Sequence, residues 1–270
     1  MFSSSSRILS RFPAATTRTA ATTTTPFLRS GITHPFGQRS IHGTAVNTNA
    51  MAANAKASRI RNPALFVCDI QEKFRPAIYE FGKLIQTTQK MLKAAAPLKI
   101  PVYVTTQSRA RLGETVSELG PYLAAVNVRA DVDKTLFSMI TPEIRALLPE
   151  PETSSNAQSA EQQQQPGPLD AILVGIETHI CITQTTLDLL ALGHRVYVLA
   201  DGVSSVNPEE RGVALARLRD AGAIVTTSES ILFEILGDAK HEAFKAISGL
   251  VKETKEETRG ALGAFCASKI

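Results

Sequence analysis

The stretch LDAILVGIETHICITQTTLDLLALGHRVYVLAD, residues 169–201, decides the fold. Residues 169–174 form an apolar run of the kind a parallel strand buried on both faces requires, and Gly175 permits a sharp turn at its end. Thr178 follows as a candidate helix cap. From Ile182 onward Leu187, Leu190 and Leu192 give a broad apolar face that Gly193 terminates. RVYVLAD (195–201) reads as the next strand. The segment sets a single cysteine, Cys181, at the turn from strand into helix, where free N–H groups and the positive end of the helix dipole favour a thiolate. An isolated cysteine is also a common core residue, so residues elsewhere must decide between packing and chemistry.

Working outward, the chain from Asn62 alternates short apolar strands with amphipathic helices, the pattern of a mainly parallel sheet covered on both faces. Strands are predicted at 64–69, 102–106, 127–131, 171–176, 195–201 and 223–227, and helices at 81–98, 142–148, 179–191, 208–221, 230–236 and 241–251. Six strands fit one α/β domain over 62–265. The segment PEPETSSNAQSAEQQQQPGP (149–168) is polar, lacks hydrophobic periodicity and is expected to be a disordered surface insertion.

The chain has 270 residues and 43% hydrophobic content, enough for a sizeable core. Eight of its 29 basic residues and none of its 25 acidic ones lie in residues 1–61, amid abundant Ser, Thr and Ala. That composition is expected of a mitochondrial transit peptide with a disordered leader, and so of a matrix protein; translation from Met51 would give a cytosolic form. Beyond the leader, 21 basic residues face 25 acidic ones, a net charge of −4 against +4 for the whole chain. With no basic stripe or interleaved aromatics, no nucleic-acid partner is expected. No apolar run approaches a membrane span, so no membrane partner is expected either. Cys68, Cys181 and Cys266 lie far apart and suggest neither a disulfide framework nor a zinc knuckle.

In an open parallel sheet, functional groups gather at the carboxyl ends of the strands. Here the first strand ends in Asp69, the third runs into Asp131, Asp133 and Lys134, and the fourth delivers Cys181. A carboxylate to take the thiol proton, an ammonium to favour the thiolate and amides near a helix start to hold an oxyanion make a nucleophilic site. His179 lies two residues from Cys181, a spacing that points to another side of a helix, and reads as pocket lining or surface. Phe74, Gln107, Tyr122, Phe137 and His179 are candidate walls of a small, weakly charged pocket for a small-molecule substrate. No cofactor is expected: DIQEKF follows the first strand in place of G-x-G-x-x-G, no phosphate-binding G-x-x-x-x-G-K-[ST] occurs, and the histidines are scattered without the spacing of metal ligands.

Several motifs in order, FVCDIQEKFR (66–75), DKTLFSM (133–139), GIETHICITQTTLDLL (175–190), VLADGVSS (198–205) and ALGAF (261–265), make the chain resemble the isochorismatase-like cysteine hydrolases, the group of the nicotinamidases and N-carbamoylsarcosine amidase. It is most similar to the eukaryotic isochorismatase domain-containing proteins. The resemblance, over 63–265, implies a three-layer α/β/α fold and an Asp, Lys, Cys triad falling on Asp69, Lys134 and Cys181. It also implies a cis peptide at Ile176–Glu177, with the amides of Glu177 and Cys181 as oxyanion donors, and a homo-oligomer, to which the helix at 241–251 and ALGAF would lend exposed apolar residues. TTQSRARLGETV (105–116) stands where metal-dependent nicotinamidases carry an Asp-x-His cluster, so no metal is implied. Isochorismate hydrolases of vinyl ethers typically lack the cysteine, so its presence favours acyl chemistry on an amide or ureide. Vinyl-ether hydrolysis and a catalytically silent binding or scaffold role are the alternatives.

Overall fold

The computed structural model describes residues 59–149 and 167–267. The leader, up to Ser58, and the Gln-rich insertion, apart from its flanks, lie outside the described residues, so the expectations made for them do too. The strands assemble because successive side chains enter two different cores. In β1 (Pro63–Cys68), Leu65 and Val67 join one apolar cluster, while Ala64, Phe66 and Cys68 join the other. The same division recurs in β2 (Val102–Gln107), β4 (Asp170–Gly175) and β5 (Arg195–Val203). Phe66 and Tyr103 stack on the second face with ring centroids 4.8 Å apart. The edge strand β3 (Val128–Lys134) alternates half-buried Val128, Ala130 and Val132 with exposed Arg129, Asp131 and Asp133. The opposite edge is the short β6 (Ile224–Thr226).

All neighbouring strands pair in parallel, in the order β3-β2-β1-β4-β5-β6. The expectation of a mainly parallel sheet thus sharpens to a fully parallel one. On one face lie α1 (Phe81–Ala95), α4 (Ser228–Leu236), α5 (Phe244–Glu253) and α6 (Lys255–Phe265). On the other lie α2 (Thr183–Ala191) and α3 (Pro208–Asp220), with Met139 and Ile144. This is the three-layer arrangement. The chain runs outward from β1 to β3 and returns with β4 on the other side of β1, so the crevice beyond the carboxyl ends of β1 and β4 is the topological switch point, where such sheets bind ligands.

All six expected strands are present, but two helical expectations change. The segment 142–148 holds only a single turn, Pro142–Arg145, begun by the Thr141 side chain accepting from the Ile144 amide. Helix α6 was not expected, because Gly260 and Gly263 weaken its helical signal. Two buried cations anchor this end of the chain. Lys90 donates to Ser228 Oγ at 3.2 Å and Thr258 Oγ1 at 3.1 Å. Arg211 donates to the carbonyls of Val203, Ala200 and Phe265 and lies over the Phe265 ring. Ile247, Leu250, Ala261 and Phe265 are accordingly buried in the chain's own core. The apolar residues invoked for an oligomer are mostly spent inside the subunit. Among the described residues no helix is long and apolar enough to cross a membrane.

Candidate active site

β1 hands the chain to Asp69, whose φ of 51° puts it in the left-handed region that Asp tolerates better than most residues. Its amide donates to the Thr105 carbonyl at 3.1 Å, and Thr105 Oγ1 donates to Asp69 Oδ1 at 2.7 Å. The other oxygen, Oδ2, accepts from Lys134 Nζ at 2.7 Å. Lys134 ends β3 on the inward phase of its alternation, in line with Val128, Ala130 and Val132, and is buried. Its ammonium also donates to Gln107 Oε1 at 2.7 Å and lies 3.1 and 3.2 Å from the carbonyls of Leu136 and Phe137. Burial acts to lower the Lys134 pKa, but its neighbours, with the Asp69 carboxylate hydrogen-bonded to it, outweigh that and hold the ammonium above its ordinary value.

Because both members of the Asp69–Lys134 pair are buried, removing one strands the other. Lys134→Met is expected to destabilise the protein by about 3–5 kcal/mol, and Asp69→Asn in that background to recover much of the loss. Urea denaturation of the four proteins of this double-mutant cycle measures the coupling. Additive losses would contradict it.

β4 ends at Gly175, and the Ile176–Glu177 peptide that follows is cis, as the resemblance implied. The chain then winds through a π-helical turn, Thr178–Ile182, before entering α2. The threonines of TQTT accompany this widening: Thr183 Oγ1 donates to the Thr178 carbonyl at 2.7 Å and Thr185 Oγ1 to that of Cys181 at 2.6 Å. Thr178 is therefore not a helix cap. It lies inside the turn, and its amide donates to the Ser204 carbonyl and Ser205 Oγ. Cys181 thus occupies a π turn, a feature frequent at functional sites, and not the first turn of an α-helix. The sulfurs of Cys181 and Cys68 and a carboxylate oxygen of Asp69 all lie within 4.8 Å of one another.

The expected pocket residues divide. Gln107 touches the site directly, accepting from Lys134 and donating from Nε2 to the Thr135 carbonyl at 3.0 Å. Phe137 supplies its carbonyl to Lys134, and the residue is 53% exposed. His179 pairs through Nδ1 with Ser205 Oγ at 3.1 Å, which ties the π turn to the loop after β5. Phe74, in a short 3-10 turn, packs partly buried against the core on the α1 face. Tyr122 does not join the site: it precedes β3, and Lys93, in the last turns of α1, lies 5.5 Å over its ring. Both features belong to the amino-end edge of the sheet, because α1 runs back from the carboxyl edge. Sequence reasoning passed over Thr105, Cys68 and Gln71. Gln71 donates to the carbonyls of Gln107 and Gly113 and accepts from the Gln107 amide, fixing the loop after β2. Its place two residues after Asp69 was the only available signal.

Among the described residues, Cys68, Asp69 and Cys181 form the group with three convergent metal-ligating atoms. Both oxygens of Asp69 are already engaged by Thr105 and Lys134, and a cation there would meet the ammonium at close range. Open depressions of about 500 and 770 Å³ lie elsewhere, lined by residues such as Pro63, Leu98 and His241 or Lys93 and Gly249 at the strand-start edge. They hold no comparable cluster.

Comparison with known proteins identifies the family. Residues 63–230 match the isochorismatase domain family. Isochorismatase domain-containing protein 1 of Salmo salar is 42% identical over 193 residues, covering 72% of this chain and 62% of that protein, so the match spans less than two thirds of the relative's length. A Caenorhabditis elegans structure described as MAR1 ribonuclease is 38% identical, with a TM-score of 0.60 over 71% of this chain and 90% of that one. The fold recurs in the Escherichia coli YcaC gene product, described as an octameric hydrolase of unknown specificity, with 17% identity and a TM-score of 0.58 over 76% of this chain and 93% of that one. From its matched domain, its relatives and its parallel three-layer sheet, the chain belongs to the isochorismatase-like hydrolase family.

Proposed function

We propose that this protein hydrolyses a C–N bond of a small amide or ureide through a thioester on Cys181. The observation that carries the reading is the buried convergence of the Cys181 sulfur with Asp69, itself paired to Lys134 at 2.7 Å. Asp69 takes the thiol proton as Sγ attacks the substrate carbonyl carbon, and the Lys134 ammonium balances the anionic groups. The amides of Glu177 and Cys181 donate to the oxyanion. Asp69 returns the proton to the nitrogen, the C–N bond breaks and the amine or ammonia leaves. Water, deprotonated by Asp69, then hydrolyses the thioester and frees the acid. Gln107, Phe74, Phe137 and His179 are the proposed substrate contacts, which suit a compact neutral amide better than a bulky anion.

A panel of amides, ureides, isochorismate and RNA, offered to the full-length protein, tests this. Release of ammonia or amine from an amide or ureide is expected. Two outcomes would overturn the proposal. RNA cleavage without amide turnover would favour the activity named for the C. elegans relative. Turnover of isochorismate alone would favour the vinyl-ether reaction. The acidic balance beyond residue 61 argues against a polyphosphate substrate.

Two further proposals accompany this one. The basic leader directs the protein to the mitochondrial matrix, and N-terminal mass spectrometry of fractionated cells should find mature protein starting between residues 42 and 62. A cytosolic protein starting at Met1 would contradict import. Self-association rests on exposed apolar side chains, including Leu136, Phe137, Val206 and Val213, and a monomer by light scattering at micromolar concentration would remove it.

A further inference from the structure

We propose that Cys68 is a resolving thiol for Cys181, so that oxidation of Cys181 by a peroxide ends in an intramolecular Cys68–Cys181 disulfide. The hydrolytic steps above make no use of Cys68, and the inference does not depend on them. Cys68 is the last residue of β1 and Cys181 lies in the turn after β4, yet both side chains enter the same core layer. Their sulfurs lie within 4.8 Å of each other. The Cys68 backbone is held there from two sides. Its carbonyl accepts from the Ile176 amide at 3.0 Å, and it lies so close to Gly175 that a methyl group on that glycine would stand 2.1 Å from the Cys68 oxygen.

Access is unequal. Cys68 is fully buried, whereas Cys181 is 7% exposed and opens toward the carboxyl edge of the sheet. A small oxidant therefore meets Cys181 first, and Cys68 is reached only through it. Burial and the neighbouring Cys181 and Asp69 push the Cys68 thiol well above its ordinary pKa. It stays protonated and inert until a sulfenic acid forms beside it.

The chemistry balances in two steps. Hydrogen peroxide oxidises the Cys181 thiol to a sulfenic acid and is itself reduced, releasing one water. Cys68 Sγ then attacks the sulfenic sulfur, forming the S–S bond and breaking the S–O bond. The thiol proton passes by way of the adjacent Asp69 carboxylate to the departing hydroxide, giving a second water. Two thiols lose two electrons and the peroxide gains them. Bond formation needs the sulfurs to close from within 4.8 Å to about 2.05 Å, a movement asked of the two side chains while the paired ends of β1 and β4 hold the backbone. Cys181 is thereby protected from irreversible oxidation to sulfinic acid.

The test uses the full-length Cys266→Ser protein, which removes the one exposed cysteine among the described residues. It is treated with hydrogen peroxide, unfolded in an alkylating reagent and peptide-mapped without reduction. The expected result is a peptide containing Cys68 joined to one containing Cys181, lighter by two hydrogens and separated by dithiothreitol, in roughly tenfold excess over Cys181 sulfinic acid. In Cys68→Ser or Cys68→Ala added to that background, Cys181 should instead gain two oxygens that dithiothreitol does not remove. Sulfinic acid at Cys181 with Cys68 still free to alkylate after unfolding would overturn the proposal. That outcome is read in the protein retaining Cys68, so it stands even where the Cys68 variants fold poorly.

Discussion

Cys181→Ala is expected to lower kcat/KM for any amide or ureide the protein cleaves by at least ~10⁴-fold, with the loss in kcat. The substitution removes one buried sulfur, at a cost of about 1–2 kcal/mol of stability, too little to unfold the domain. Urea denaturation alongside the assay separates the two effects. Asp69→Asn keeps nearly the same shape but cannot accept the thiol proton. It should cost about 10²–10⁴-fold, the range of a lost general base. A Cys181→Ala protein that loses only affinity, with kcat retained, would mean that the thiol binds substrate without attacking it.

Gly175→Ala is expected to destabilise the fold by about 4 kcal/mol or more. The glycine has a φ of +123°, outside the regions open to L side chains. A Cβ there would stand 2.1 Å from the carbonyl oxygen of Cys68 and 2.8 Å from its carbonyl carbon and amide nitrogen. All three atoms are backbone, so no side-chain rotation relieves the overlap. The ends of β1 and β4, paired at Cys68 and Gly175, would have to separate, and these two strands carry Asp69 and Cys181. Gly212→Ala is the control: it lies in α3 with nothing within 4 Å of the added carbon, and should stabilise by about 0.5–1 kcal/mol. A change below about 1 kcal/mol at Gly175 in urea denaturation would contradict the close approach of the two strands.

The reason the sheet could be read from the sequence is that its strands are buried on both faces, so ALFVCD and AILVGI carry unbroken apolar runs. The carboxyl-end rule then picked Asp69, Lys134 and Cys181 from many charged and sulfur-bearing residues. What stayed hidden depended on tertiary geometry. The π turn at Cys181 involves hydrogen bonds from Thr183 and Thr185 to carbonyls behind them, whereas TQTT in isolation continues a helix pattern. Helix α6 was obscured by its two glycines, although it packs against α1 and β5, with Gly260 beside Lys83. Tyr122 was assigned to the pocket from its loop alone, without the return of the chain to the amino edge before β3. Cys68 looked like one more apolar strand residue, because only the pairing of β1 with β4 brings it beside Cys181.

Rapid acid quench during turnover of a cleaved amide, followed by peptide mass mapping, tests thioester chemistry at Cys181 most directly. In the wild-type protein the Cys181 peptide should gain the mass of the substrate's acyl group, the adduct should be released by hydroxylamine, and Cys181→Ala should show neither adduct nor turnover. Amide hydrolysis persisting in Cys181→Ala, or an acyl group found on another residue, would contradict it.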